Sequence, residues 1–341
     1  MTSLHDVARL AGVSKTLVSR VVNGQTGVSE ASRKKIQDAM KELNYRPNAL
    51  ARSLVTHRTQ TVGVVMDSLV EPYFFPMIEG LEEAVEATGY DLVFTSGRNN
   101  VAHKYNAVSY FEQGRADGII LYGSRLEDDA IIHSLASRNL PFVVVENTFP
   151  SLSINNISLD NDFGSDLAIR HLASCGCRRV CHVSGGRETH VAMDRQNGYL
   201  SAMQRCGLPV SEEMIIHADF TIENSCRIMR DWLRSPAAES RPDAFYCASD
   251  KTAYGVITAL EEAGLHVPED VMVIGFDDEV PPLFYRHAPL TTLSQPLKKM
   301  GKAAMSLLLE NIKSPDAQHQ HIRFYPSLVV RQSTCPTKTT E

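Results

Sequence analysis

Apolar positions follow two regimes along this chain. Over the first 46 residues they recur at helical spacing: Leu4, Val7, Ala8 and Ala11, a break at Gly12, then Leu17, Val18, Val21 and Val22. That period predicts two short amphipathic helices about a tight, glycine-containing turn. Ser14 is placed to cap the second, since its hydroxyl can accept from an amide of the first turn. A third helix is expected from Ser29 through Met40 to Leu43, with Arg33, Lys34, Lys35 and Lys41 outward.

From Thr61 the pattern becomes short apolar runs separated by longer amphipathic segments. Strands are expected at 61–67, 90–95, 118–122 and 141–145, with helices at 74–88, 102–113 and 126–138. A second round follows: helices 161–175, 194–206, 222–234 and 250–263, and strands 179–183, 214–218, 244–248 and 271–276. Alternating strand and helix predicts an α/β body of parallel, doubly wound sheets, and two rounds predict two subdomains. Strand 290–293, helix 296–312 and strand 322–330 are too few for a third and are expected to cross back between the two. A cleft then lies between the lobes. Ligands of open parallel sheets sit beyond the carboxyl ends of the strands, here Asp67-Ser68, Gly97-Arg98, Glu146-Asn147, Gly185-Gly186, Asp219-Phe220, Ser249-Asp250 and Asp277-Asp278.

The two regimes meet at Tyr45 to Leu54. Pro47 and Asn48 read as a helix start, and the helix formers after them fail within about two turns at Val55-Thr56. So short a helix is marginal alone in water and needs a partner to fold.

Charge sharpens the division. The formal charge of −6 combines net +6 over residues 1–58, ten Lys and Arg against four Asp and Glu, with net −12 for the rest, 24 against 36. A small basic part on an acidic body predicts a polyanion partner for the first part only. The N-terminus lacks the basic-then-apolar run of a signal peptide and no apolar stretch is long enough to span a membrane, so the expected location is cytoplasmic. Seven cysteines, an odd number, read as free thiols. His171, Cys175, Cys177, Cys181 and His182 cluster in sequence, but C-x-C-x3-C is not a zinc pattern and Cys181-His182 falls inside a strand; no metal or cofactor is expected.

Pattern alone leaves two readings of the first 46 residues, a solvated basic three-helix bundle and a helix-turn-helix unit whose acid-free second helix enters the major groove. The residues narrow this. Leu4-His5-Asp6-Val7-Ala8-Arg9-Leu10-Ala11-Gly12-Val13-Ser14-Lys15-Thr16-Leu17-Val18-Ser19-Arg20-Val21-Val22-Asn23, then Val28-Ser29, then Tyr45 to Leu54, resemble the DNA-binding headpiece and hinge of the LacI/GalR family of bacterial repressors. The resemblance implies base contacts by Lys15, Thr16 and Arg20, the last suited to guanine, and backbone contacts by Ser14, Ser19 and Asn23. It further implies a minor-groove hinge of Asn48, Ala51, Arg52 and Leu54, with Leu54 as the wedge.

The body also resembles that family, whose effector domain is periplasmic-binding-protein-like. Pro72-Tyr73-Phe74, Asp194 to Tyr199, and Ile274-Gly275-Phe276-Asp277-Asp278 with Pro289 to Thr292 carry the likeness, which extends over about residues 3–332. It implies effector contacts by Asp67, Tyr73, Phe74, Arg195, Phe220, Ser249 and Asp277. Arg195 offers fixed donors and Asp277 two acceptor oxygens, a match for vicinal hydroxyls, with Phe220 stacking on the ring and Tyr73 or Phe74 closing the other side. The plainer alternatives are a surface Arg195–Asp194 pair, a capping Asp277 and core aromatics. Many sugar-responsive relatives carry Asn-Asp where this chain has Ser249-Asp250.

These readings give a headpiece at 1–46, a hinge and linker at 47–59, an effector and dimerisation domain at 60–332 and a polar tail at 333–341. Within the body one subdomain is expected at 60–160 and 291–320, the other at 161–290 and 321–332. The function implied is a homodimeric repressor on a pseudo-palindromic double-stranded DNA operator, controlled by a small ligand. A sugar or sugar derivative is the main expectation and a purine-like corepressor the alternative. A solute-binding protein is disfavoured by the basic headpiece. An enzyme is disfavoured because no phosphate loop, dinucleotide fingerprint, H-E-x-x-H or nucleophile elbow is present.

Overall fold

The computed structural model describes residues 2–22, 26–45, 58–149, 151–235, 238, 241–280 and 289–334. Asn23, Asn48, Ala51, Arg52 and Leu54, and with them most of the expected hinge and tail, lie outside the described residues.

Three helices form at the N-terminal end: α1 (Leu4–Ala11), α2 (Lys15–Val22) and α3 (Glu30–Glu42). Ser3 and Asp6 make a reciprocal capping box at the start of α1, and Gly12 ends it with a φ of 65° that suits a residue without a Cβ. Ser14 Oγ accepts from the Leu17 amide at 3.2 Å, the cap anticipated for α2. Val7, Ala8, Val18, Val21, Ile36 and Ala39 are buried between the helices.

The body opens with β1 (Thr61–Met66), α4 (Phe75–Val85), β2 (Asp91–Ser96), α5 (Val101–Glu112), β3 (Gly118–Tyr122), α6 (Asp128–Ala136), β4 (Phe142–Val145) and β5 (Asn155–Leu159). There follow α7 (Asn161–Ser174), β6 (Val180–Ser184), α8 (His190–Arg205), β7 (Ile215–His217), α9 (Ile222–Leu233), β8 (Ala244–Cys247), α10 (Asp250–Glu262) and β9 (Met272–Ile274). Last come β10 (Thr292–Ser294), α11 (Leu297–Lys313), β11 (His321–Phe324) and β12 (Ser327–Val329). A six-stranded sheet of order β11-β5-β4-β3-β1-β2 and a four-stranded one of order β7-β6-β8-β9 are parallel throughout. β10 and β12 pair antiparallel and extend from the end of β9 through bridges at Ile274–Thr291 and Asp277–Ser294. In the first lobe α4 lies against α11 at backbone contact: a Cβ on Gly80 would stand 2.1 Å from the Lys298 carbonyl oxygen, and one on Gly301 2.3 Å from that of Met77.

The pairing corrects the expected subdomain limits. β11 is the edge of the first sheet, hydrogen-bonded to β5, so 321–324 leaves the second lobe. Thr291 to Ser294 pair with the second lobe, so the return crossing falls at Gln295-Pro296 and not at 291. The single strand expected at 322–330 is two, broken at Tyr325-Pro326 where the chain changes sheets; proline has no amide to extend a ladder. β5 falls where no strand is expected, because Asn155, Asn156 and Ser158 read as loop. Its polar side chains are buried but bonded: Asn156 Nδ2 to the Val144 carbonyl at 3.2 Å, Ser158 Oγ to His321 Nε2 at 2.7 Å, and Asn155 Oδ1 to the Gln320 amide at 2.9 Å. α8 begins at His190, four residues before the expected start, with Thr189 as its cap.

Candidate functional site

On α2, Leu17 faces the helix-bundle core with Val18 and Val21, which leaves Lys15, Thr16 and Arg20 exposed beside Ser14, and Ser19 partly so. No acidic residue occurs on this helix. The exposed side chains are therefore donors and a hydroxyl on a surface that repels no phosphate.

Between the lobes lies a cavity of about 370 Å³ at the carboxyl ends of both sheets. Asp67, Tyr73, Phe74, Arg195, Phe220, Ser249 and Asp277 all line it. Arg195, on α8, is only 2% exposed. Its Nε donates to Asn161 Oδ1 at 3.0 Å and its Nη1 to the Ala248 carbonyl at 2.6 Å and Asp277 Oδ1 at 3.2 Å, while the guanidinium carbon sits 3.7 Å from the centre of the Phe276 ring. These contacts fix the fork and, among the described residues, leave Nη2 for something else. Asp277 is held in turn by Gln295, whose Nε2 donates to Oδ1 at 2.7 Å. Burial raises the Asp277 carboxyl to about 6 against the opposing pull of Arg195.

The aromatic walls come from both lobes. Tyr73 and Phe74 meet edge to face at 5.0 Å, and Phe74 continues onto Tyr122 at 4.9 Å, so Phe74 is core as well as wall. Phe220 lies over Gly185 so closely that a Cβ there would stand 2.2 Å from the ring.

Two expected contacts are spoken for within the protein. Ser249 caps α10: its Oγ accepts from the Thr252 amide at 3.1 Å and bonds Thr252 Oγ1 at 2.9 Å. Asp67 lies 2.5 Å from Lys104 Nζ and accepts from Ser124 Oγ at 2.8 Å. Lys104, on α5 and 0% exposed, also bonds Asp128 Oδ2 at 2.6 Å and the Tyr122 carbonyl at 2.9 Å.

Three further residues matter at this site, two of them not visible from the sequence. Lys104 reads as one more polar position of an amphipathic helix. Gln295 falls at a presumed helix start. Glu146 stands after β4, among the strand-end positions expected to face a ligand, though not among the residues expected to contact it. It is 4% exposed, at a φ of 85° that only glycine adopts at no cost, and among the described residues neither carboxylate oxygen has a hydrogen-bond partner. Burial raises its carboxyl to about 7, opposed by Arg195 and reinforced by Asp277.

The lobes are also strapped together beside the cleft. The Leu126 amide donates to the Glu188 carbonyl at 3.0 Å and the His190 amide to that of Ser124 at 2.9 Å. His190 Nε2 lies 2.9 Å from Asp129 Oδ1, and Lys251 of α10 pairs with Glu71 of the first lobe.

A basic three-helix unit on a two-lobed body matches known proteins over its whole length. Residues 3–48 match the family described as bacterial regulatory proteins, lacI family, and residues 169–334 the periplasmic binding protein-like domain. The HTH-type transcriptional repressor PurR of Erwinia tasmaniensis is 36% identical over 334 residues, 98% of this chain and 97% of that protein. This chain belongs to the lacI family. PurR of Photobacterium profundum is 32% identical, again over 98% of each chain. Among solved structures, a lac repressor dimer bound to operator and the anti-inducer ONPF superposes with a TM-score of 0.85 at 28% identity, over 98% of this chain and 99% of that one. The transcriptional regulator CelR in complex with cellobiose does so with 0.72 at 28% identity, over 98% and 100%. The protein is thus a DNA-binding transcription repressor and not an enzyme. Among the described residues no helix is long and apolar enough to cross a membrane.

Proposed function

We propose that this lacI-family repressor works as a homodimer on a pseudo-palindromic operator and that a ring-shaped effector, bound between the lobes, sets its operator affinity. Lys15, Thr16 and Arg20 read bases, while Ser14, Ser19 and Asn23 hold phosphates. The hinge Asn48, Ala51, Arg52 and Leu54 enters the minor groove. Two headpieces on a two-fold site multiply the modest selectivity of one.

The observation that carries the effector reading is Arg195 Nη2, bonded to nothing among the described residues, beside the buried Asp277 carboxylate and between aromatic walls. A donor and an acceptor side by side suit the amide edge of a purine or a pair of vicinal hydroxyls equally. Full-length relatives named PurR favour a purine base acting as corepressor, so that reading comes first. The likeness to a cellobiose-bound regulator keeps a sugar second. A corepressor tightens operator binding as the lobes close on it; an inducer loosens it. Coupling is reciprocal, so operator DNA changes effector affinity by the same factor.

Fluorescence anisotropy on a labelled palindromic duplex tests this, with hypoxanthine, guanine, and mono- and disaccharides added in turn to the parent protein and to Asp277→Ala. A ligand that moves operator affinity only in the parent supports the reading. An unchanged response in Asp277→Ala removes this cleft as the site.

A further inference from the structure

The charges around the cleft are unequal. Six carboxylates line it, from Asp67, Glu71, Glu188, Asp219, Asp277 and Glu279, against three cations, Arg125, Arg195 and Lys251; the buried Lys104 behind the wall balances Asp67, so Glu188 and Asp219 are the two lining acids without a paired cation among the described residues. Each cation already faces an acid: Arg195 pairs with Asp277, Lys251 with Glu71 and, at 3.9 Å, Glu279, and Arg125 stands 3.8 Å from Glu127. Behind the wall Glu146 adds a buried carboxyl whose oxygens have no partner among the described residues. Two helices, α8 and α10, begin at the cleft and their amides would ordinarily attract an anion. Those ends are taken: Thr189 Oγ1 accepts from the Ala192 amide and Ser249 Oγ from the Thr252 amide.

We infer that the cleft selects its effector by charge, taking an uncharged or cationic molecule that presents N–H or O–H donors and rejecting the phosphorylated or carboxylated form of the same skeleton. The inference rests on the reading that this cleft holds the effector. It separates free nucleobases and free sugars from nucleotides and sugar phosphates. An anion about 6 Å from one unmatched carboxylate loses roughly 100-fold in affinity at an effective dielectric of about 20. N–H and O–H donors gain instead, because a hydrogen bond to a charged acceptor is worth about 1.5–3 kcal/mol, roughly 10- to 100-fold in affinity.

The experiment works with the ligand still unidentified. A deproteinised small-molecule extract of a bacterial culture is split on an anion exchanger, and each desalted fraction is added to the full-length protein on labelled operator. The flow-through, which holds uncharged and cationic molecules, is expected to shift operator affinity. A shift carried by the retained, anionic fraction alone overturns the charge rule and leaves ligand control standing. A shift from neither fraction overturns ligand control and the charge rule with it. Matched pairs give a second reading, with melting temperature measured for hypoxanthine against inosine 5′-monophosphate and for glucose against glucose 6-phosphate. A phosphate that stabilises the protein as much as its parent base or sugar contradicts the inference.

Discussion

Gln295 Nε2 donates to Asp277 Oδ1 at 2.7 Å while Tyr73 Oη donates to Gln295 Oε1 at 3.2 Å. One amide in the crossing strand thereby holds a group from each lobe, and both groups line the cleft. A hydrogen bond to a charged partner is worth about 1.5–3 kcal/mol. In Gln295→Leu the effector concentration for half-response should accordingly rise roughly 10- to 100-fold. Operator affinity without effector should stay at the parent value, since the headpiece is untouched. Anisotropy titrations with and without effector check both halves, and equal losses in the two would mean general damage.

Lys104 is a cation sealed from solvent between Asp67 and Asp128. Replacing it with methionine keeps an unbranched side chain one atom shorter but strands two buried acids, a loss of about 3–5 kcal/mol in stability. Chemical denaturation of the parent and Lys104→Met measures it. Adding Asp128→Asn should restore part of the loss, because one stranded charge is removed; no recovery would rule out the electrostatic explanation.

The lone carboxyl of Glu146 gives a pH dependence with a definite sign. Its value rises from an ordinary 4.5 to about 7 on folding, so the folded chain holds the proton more tightly. Its influence is then greatest on the acid side: stability falls as pH climbs from 4.5 to about 7 and is level beyond. That span corresponds to about 3 kcal/mol at ~1.36 kcal/mol per pH unit. Ligand-free Glu146→Gln should match the parent near pH 4.5 and melt higher at pH 8. A variant that melts lower at pH 8 would show that the charge is satisfied in the folded protein.

His182 gives the opposite slope. It stacks on Tyr199 at 5.2 Å and bonds the Tyr246 carbonyl, and burial holds it down at about 3. The unfolded chain gains the proton first, so stability is present above the ordinary 6.5 and drains away as pH falls toward 3. Unfolding at pH 5 in His182→Phe, which retains the stack, should be less acid-sensitive than in the parent. Equal sensitivity would assign the acid lability elsewhere.

For the DNA-facing surface, Arg20→Ala should cost about 1–3 kcal/mol at the preferred operator and flatten the preference at one base pair. Loss of a phosphate-holding contact instead lowers affinity for all sequences alike. Leu54→Ala should retain weak headpiece binding and lose operator affinity. Gel shifts on matched and singly substituted operators distinguish these outcomes.

Most of the strand and helix order is legible because apolar period is set locally: 2 or continuous for buried strands, 3.6 for helices. What is not legible is set at a distance. β5 looks like loop until Asn156 is seen bonding the carbonyl of Val144, and the sheet change at Pro326 depends on which edge lies near. At the cleft, Arg195, Phe220 and Asp277 follow from strand ends and family likeness. Gln295 and Lys104 matter because of partners far along the chain, 222 residues away in the case of Gln295 and Tyr73, and Glu146 because its burial leaves its carboxylate without one among the described residues. Ser249 is visible but ambiguous, since capping and ligand contact call for the same residue type in the same place.

The threading of the last strands bears on how the protein is made. The first sheet receives its edge strand from 321–324, and α11, which packs on α4, comes only at 297–313. The first lobe cannot close its core while the ribosome is still upstream of those residues, whereas the core on the second sheet, from Cys181 to Leu290, is already made. The headpiece, by contrast, has its own small core complete by Tyr45. Synthesis therefore releases a DNA-binding unit first and holds the first lobe open until residue 324 has been made. A nonsense mutation between residues 291 and 321 should therefore spare the core of the second lobe and leave the first lobe, the earlier part of the chain, without its edge strand.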